Sequence, residues 1–308
     1  MSEQNNQTFY YTTFYHFFQL KSEQISLLSA ALKKVAAEMN LRGLILLAPE
    51  GINGTVSAPT ESALDSFKSF LKQIPYFCEI DFKDSRASTI GFKRFKVDLR
   101  REIVALGDSK VVPTKDDLCS SYLKADEWDS VLEEESDFLL IDARNKYEVA
   151  LGYFKGAIDL GIDSFNEFKE RFENLKIKPE TKILTYCTGG IRCEKAAQLL
   201  KEQGYKNVFQ LKGGILKYFE DTKRNHFLGE CFVFDHRVAV DSSLRPSSRY
   251  KLCPHCGNPA AKKIECLKCG SQTTVCEDCV VSPNKQTCSK NCSYHLAKEK
   301  KGNLSLPL

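Results

Sequence analysis

The sequence predicts a mixed α/β chain: an α+β domain, then a parallel α/β domain, then a small cysteine-rich tail. Three observations carry that reading. Short β-prone runs alternate with amphipathic helical stretches from Phe9 to about Leu211. After Asp241 the composition turns to Ser, Pro, Lys and Cys, with almost no apolar run, so the tail cannot bury much core by itself. The 308 residues, 42% hydrophobic and 27% charged, suffice for two or three cores and exclude a disordered, collagen-like or coiled-coil chain.

Phe9 to Phe18, rich in Phe, Tyr and Thr, reads as a strand. Ser22 then serves as N-cap for a helix with Ile25, Leu28, Leu32, Val35 and Ala36 near helical spacing. Leu44 to Ala48 is a buried strand, and Gly51 and Gly54 mark a turn into another at Thr55-Val56. Thr60 to Leu71 reads as a helix, and Phe95 to Leu99 alternates like a strand. The order β-α-β-β-α-β over residues 1–112 is that of the ferredoxin-like, or acylphosphatase-like, split βαβ unit.

Val112-Pro113 and the acidic stretch around Glu133 bracket a linker and the start of a second domain, residues 113–235. Its strands are Phe138 to Ile141, ended by Asp142, then Lys182 to Tyr186 and Val208 to Leu211. Helices are expected at about Ser164 to Glu173 and at Glu194 to Gln203. Strands alternating with helices imply a parallel sheet, whose active groups sit at the carboxyl ends of strands. Cys187 lies at such an end. Residues 236–308 form the tail.

No apolar run approaches the ~18 residues of a membrane span, and the polar Met1 to Thr8 segment lacks the layout of a signal peptide. A soluble cytoplasmic protein is expected. Of 13 cysteines, five are scattered (Cys78, Cys119, Cys187, Cys193, Cys231) and eight fall between Cys253 and Cys292. In that setting reduced thiols doing metal or redox chemistry fit better than a disulfide framework.

Cys187 to Cys193 joins a buried strand to a helix. Such a turn aims successive backbone N–H groups inward, beside a helix N-terminus and Arg192, and so favours a Cys187 thiolate. A buried structural cysteine is the bland alternative, but the double glycine, the arginine and the strand–turn–helix context favour the reactive one. Cys193 is either a resolving partner for an oxidised Cys187 or a buried helix-start cysteine. Asp142, Arg144 and Glu148 read as ion pairs or loop braces.

Asp142-Ala143-Arg144 with Glu148, Gly152 to Ala157, Cys187-Thr188-Gly189-Gly190-Ile191-Arg192 and Leu211 to Gly214 together resemble a rhodanese domain. The resemblance implies a persulfide-bearing Cys187 with Thr188, Gly189, Gly190, Ile191 and Arg192 as its anion-binding cradle. Four residues separate Cys187 from Arg192, the shorter sulfur-type loop rather than the longer phosphatase type. Tyr218 stands where many rhodaneses have Trp. Adding Pro49 to Thr55, Arg101 to Gly107 and Cys187 to Lys195, in this order, the chain closely resembles the TrhO (YceA) family of tRNA uridine hydroxylases. That resemblance implies conversion of the wobble uridine (position 34) of tRNA to 5-hydroxyuridine, with molecular oxygen as co-substrate. No haem, flavin or non-haem iron signature is visible, and the electron donor is not legible. Cys187 is expected either to add to C6 of the uracil, making C5 nucleophilic, or to carry a persulfide or sulfenate. Two other functions remain open at this point: a persulfide sulfurtransferase, and a noncatalytic RNA-binding protein on a rhodanese scaffold.

Two basic segments bear on an anionic partner. Lys83 to Arg101 holds seven Lys/Arg against two Asp, and Arg245 to Gly302 eleven Lys/Arg against four Asp/Glu. In the first, Lys83, Arg86, Lys93, Arg94, Lys96, Arg100 and Arg101 are candidate tRNA contacts, although most charge runs are only solvated faces. Alternation puts Arg94, Lys96 and Asp98 on one face and Phe95, Val97 and Leu99 on the other. Pro49 to Val56 lacks the Gly-Lys-Ser/Thr ending of a phosphate loop, and Asn53 and His16 read as structural.

The tail pairs Cys253 with Cys256, Cys266 with Cys269, Cys276 with Cys279, and Cys288 with Cys292. Four close pairs suit up to two tetrahedral, structural zinc ions. Sequential pairing and a cross-brace both fit, and His255 or His295 could replace a ligand. Metal-free thiols or disulfides are the alternative. The sequence leaves the oligomeric state open.

Overall fold

The computed structural model describes residues 8–87, 91–114, 121–223, 226–235 and 237–302. Residues 1–231 form one compact unit and residues 232–308 a second.

The first unit opens with β1 (Phe9–Phe17), α1 (Ser22–Glu38), β2 (Arg42–Ala48), β3 (Gly51–Ala58), α2 (Glu61–Gln73), β4 (Asp81–Ala87) and β5 (Phe95–Leu99). The sheet order is β4-β1-β3-β2-β5. Its first four strands are antiparallel neighbours and carry the ferredoxin-like arrangement. The fourth strand of that unit is therefore Asp81–Ala87, not Phe95–Leu99, which instead adds a fifth strand parallel to β2. As an edge strand, β4 keeps Asp81, Asp84 and Arg86 exposed, and such charges blunt an open edge while hiding the apolar alternation from a sequence reading. Leu32 of α1 and Phe67 and Leu71 of α2 pack with Ile45, Ile52 and Val56 of the sheet. Each fully buried side chain of that kind contributes roughly 1.5–3 kcal/mol.

Two local expectations shift. Lys21 occupies the N-cap of α1, where its N–H donates to the Gln24 side chain (2.7 Å), so Ser22 is the first helical residue. The turn after β2 is Pro49-Glu50, and Gly54 sits inside β3. Gly51 has φ of +139°, and a Cβ there would lie 2.1 Å from the His16 carbonyl oxygen, so only glycine lets β1 come this close.

The second half of this unit comprises β6 (Tyr122–Leu123), α3 (Ala125–Glu134), β7 (Leu139–Asp142), α4 (Lys146–Val149), β8 (Gly152–Phe154) and β9 (Ile158–Asp159). It continues with α5 (Phe168–Glu173), β10 (Ile183–Tyr186), α6 (Ile191–Glu202), β11 (Val208–Leu211), α7 (Gly214–Asp221) and β12 (Phe227–Gly229). The sheet β6-β11-β10-β7-β9 is parallel throughout, and β12 pairs with β8 apart from it. Strand β10 is central, so its carboxyl end delivers Cys187 into the middle of the domain. Helix α6 starts at Ile191, three residues before the expected Glu194, and Gly190 (φ +99°) makes the bend into it.

In the second unit, short hairpins pair Lys251–Leu252 with Pro259–Ala260 and Lys262–Glu265 with Gln272–Val275. Helices follow at Glu277–Val280 and Lys290–Gly302. Its small interior consists of Cys253, Cys276 and Cys279 with Ala260, Val275 and Val280. Thiols occupy the space that aliphatic side chains would fill in an ordinary domain.

Candidate active site and metal centres

Cys187 is fully enclosed. Gly190 N–H donates to its Sγ (3.1 Å), joined by the backbone N–H and the thiol of Cys193. Burial pushes the Cys187 thiol up, but those donors and the Arg192 charge outweigh it and bring its pKa down to about 5. Cys193 shows the converse. Burial and its neighbour's negative charge hold it well above the usual thiol range, so it stays protonated and donates its S–H to Cys187 Sγ.

Arg192 does not reach freely into the loop. Its guanidinium forms a bidentate pair with Glu148 (2.6 and 2.7 Å), and Thr188 Oγ1 donates to the same carboxylate (3.1 Å). Burial raises Glu148, yet Arg192 and the Asn145 N–H hold its carboxyl below the ordinary range. Arg192 thus braces the loop while lending it charge. Asp142 and Arg144 form a second buried pair, with Arg144 also donating to Gly152 O (2.6 Å). Tyr218 is buried and donates to Asp129 (2.6 Å). Cys231 bonds to Thr188, Cys78 is exposed, and Cys119 lies outside the described residues.

The N-terminal domain supplies part of the site. Tyr15 of β1 and Tyr122 of β6 both donate to Glu194 Oε1 (2.6 and 2.7 Å), and burial pushes the Glu194 carboxyl up to about 7. Lys195 is fully buried and donates to Glu50 (2.7 Å), Glu102 and Val104 O (3.2 Å). Glu50 accepts the Ile103 N–H, and Asn53, lying within β3 rather than a turn, donates to Ile103 O (3.0 Å). One lysine thus binds together three segments that the sequence shows only as separate motifs. Periodicity could not find this cluster, because nothing local pairs Glu50 or Glu102 with a lysine 145 and 93 positions away.

The basic candidates divide. Lys83 is half-buried, and its ammonium donates to Gly189 O and Gly213 O (2.9 Å to the latter). It is a component of the loop rather than of a phosphate-binding surface. Arg86, Lys93, Arg94, Lys96, Arg100 and Arg101 are exposed. Arg86 pairs with Glu61, and Lys96 and Arg100 with Asp98. Among the described residues Lys93, Arg94 and Arg101 have no carboxylate partner. Leu99 is 58% exposed, so the expected apolar face of β5 ends at Val97.

The tail thiols gather as Cys253, Cys256, Cys276 and Cys279, and as Cys266, Cys269, Cys288 and Cys292, with all sulfurs of each set within 4.8 Å. This is the cross-brace. Gly257 (φ +85°) and Gly270 (φ +74°) follow the first two pairs and donate back to Cys253 O and Cys266 O (both 2.9 Å), closing tight knuckles that only a left-handed residue permits. Eight converging sulfurs without a disulfide suit tetrahedral metal. His255 instead contacts Thr287 O (2.8 Å), and neither His255 nor His295 belongs to a cluster.

Comparison with known proteins extends these observations. Residues 9–103 match the UPF0176 acylphosphatase-like domain, 124–221 the rhodanese-like domain and 228–293 the rhodanase C-terminal domain. The chain is 44% identical over 301 residues to a tRNA uridine(34) hydroxylase of Bdellovibrio bacteriovorus, covering 97% of this chain and 84% of that one. Proteins of the same name from Prochlorococcus marinus (strain NATL2A) and Wolbachia pipientis wMel are each 40% identical. They cover 85% and 88% of this chain and 86% and 96% of their own. Among solved structures, a rhodanese-like domain from Anabaena sp. is 24% identical over 32% of this chain and 72% of that one, with a TM-score of 0.28.

Proposed function

Because the chain belongs to the tRNA uridine(34) hydroxylase family, we propose that it converts the wobble uridine of tRNA to 5-hydroxyuridine with molecular oxygen, and that Cys187 is the reacting thiol. The observation that carries this reading is Cys187 Sγ at the carboxyl end of the central strand, accepting the Gly190 N–H beside the Arg192 charge, an arrangement that favours its thiolate. At neutral pH such a group is ionised without a separate base. Addition of Cys187 Sγ to C6 of the uracil pushes the C5–C6 electron pair onto C5 and the O4 carbonyl. C5 then meets the oxygen species, loses its proton, and the C6–S bond breaks to return the thiolate. Net replacement of C5–H by C5–OH takes one atom of O2. The other leaves as water, with two electrons and two protons from an external reductant.

The enclosure of Cys187 favours a second reading at the same residue. A persulfide or sulfenate fits an enclosed sulfur with a protonated Cys193 beside it, and would then take part in oxygen transfer. Lys93, Arg94 and Arg101 are the side chains best able to meet tRNA phosphates, since no carboxylate among the described residues already holds them. A tRNA substrate agrees with a cytoplasmic location, and no helix of the described residues is long and apolar enough to cross a membrane. The two tail clusters suit zinc in a structural role.

Nucleoside mass spectrometry of tRNA from cells with the parent chain, with Cys187→Ala and without the protein tests the proposal. 5-Hydroxyuridine derivatives are expected only with the parent, and their persistence with Cys187→Ala would overturn both readings. A covalent complex with 5-fluorouridine tRNA supports ring attack, whereas oxygen or sulfur mass added to Cys187 without such a complex supports the second.

A further inference from the structure

The loop that holds Cys187 has its carbonyls tied outward one after another. Cys187 O accepts from Ile215 N–H (3.0 Å) and Thr188 O from Leu216 N–H (3.1 Å), both from the start of α7. The third carbonyl, that of Gly189, accepts from Lys83 of β4, on the N-terminal sheet. A trans peptide is planar, with its C=O and N–H pointing in opposite directions. The Gly189–Gly190 peptide is therefore held at its oxygen by Lys83, while its N–H points at Cys187 Sγ, 3.1 Å away.

We propose that Lys83 is a positioning residue for Cys187: by gripping the Gly189 carbonyl it fixes and polarises the peptide that donates to the sulfur. The loop cannot fix that peptide by itself. Both flanking residues are glycines, and Gly190 at φ +99° lies where glycine moves freely, so the peptide can rotate with little steric resistance. Lys83 also donates to Gly213 O (2.9 Å), which locks the left-handed turn leading into α7. Its ammonium lies over the Tyr15 ring, 5.6 Å from the centroid, and Tyr15 in turn clamps Glu194. The charged and titratable groups facing Cys187 are Lys83 of β4, Tyr15 of β1, and Arg192, Cys193 and Glu194 of α6. Lys83 reaches the loop from the N-terminal sheet and adds a second cation to the charge of Arg192. The N-terminal domain therefore helps to set the state of the thiol, a role distinct from binding nucleic acid.

This rests on Cys187 as the reacting thiol, and its test reads the thiol without reading hydroxylation. The ultraviolet absorbance of the Cys187 thiolate, taken as the difference from Cys187→Ser, is titrated in the full chain. Lys83→Met should move the midpoint up by about one unit or more, leaving about tenfold less thiolate at a pH below it, and Lys83→Arg should recover at least half of that shift. An unchanged midpoint in folded Lys83→Met, or equal shifts in both variants, would overturn the assignment. Should Lys83→Met not fold, linkage supplies a second measurement. Removing the thiolate must lower the titration of the Lys83 amine, followed by NMR in Cys187→Ser, by as much as Lys83 lowers that of Cys187. An amine that titrates identically in parent and Cys187→Ser overturns the proposal. If hydroxylation survives Cys187→Ala while these shifts appear, the reaction assignment fails and the Lys83 coupling stands.

Discussion

Glu194 carries its carboxyl between two phenols, with Tyr15 and Tyr122 donating to the same oxygen. Burial raises its pKa to about 7, above the unfolded value of about 4.3. A raised folded pKa means that its stabilising contribution is complete below the unfolded value and is lost as pH rises through about 7. Glu194→Gln keeps an oxygen for both phenols but has nothing to ionise. Its stability relative to the parent should therefore improve between about pH 4 and about pH 8, by up to a few kcal/mol. Denaturant titrations of both proteins at the two ends of that window provide the measurement, and a difference that stays constant would show that the carboxyl does not change state there. The surroundings that favour a Cys187 thiolate were legible because its glycines and arginine are its sequence neighbours. Glu194 was not, because what perturbs it is burial under Tyr15, 179 positions away.

Elements meet at the loop through glycine. Gly214 opens α7 at φ +71°, and a Cβ there would lie 2.5 Å from Cys187 O and 2.8 Å from both Gly190 N and Thr188 O. Gly214→Ala must push the α7 start away from the loop, and a displacement near 1 Å in a reacting group can reduce turnover about 100-fold. Gly204 ends α6 at φ +93° with nothing within 4 Å of a Cβ, so Gly204→Ala bears only local strain of roughly 1–2 kcal/mol and should retain activity. Single-turnover hydroxylation beside thermal melting separates the two, and equal activities would refute the argument. Inner strands of both sheets were legible because β2 and β7 carry the apolar runs Leu44 to Ala48 and Leu139 to Ile141, and β10 and β11 are mostly apolar. Strand β4 was not, since an edge strand shows its charges, and the same concealment made Lys83 look like a surface cation.

At the scale of the whole chain, two different forces hold two compact units. The first joins its N-terminal and parallel-sheet domains through buried ion pairs of Lys195, where burial raises the Glu50 carboxyl and the lysine opposes that rise. The second unit gathers eight thiols into two sets around a small interior of Cys253, Cys276, Cys279, Ala260, Val275 and Val280. Chelation should therefore unfold residues 232–302 and leave residues 1–231 intact, because metal binding supplies the folding free energy of such segments. Limited proteolysis with and without chelator should show cleavage confined to the tail, and unchanged fragments would refute a metal-dependent fold. Spacing announced the four cysteine pairs, but the choice between sequential and interleaved partners depends on chain path, which spacing does not encode. The interleaving also bears on synthesis. On the ribosome the first metal site stays open until Cys279 has emerged, and the second until Cys292. For that interval Cys253 and Cys256 are only half of their set. An order of metal capture would thus follow the direction of translation, with the second set of thiols complete only once the start of the helix Lys290–Gly302 has emerged.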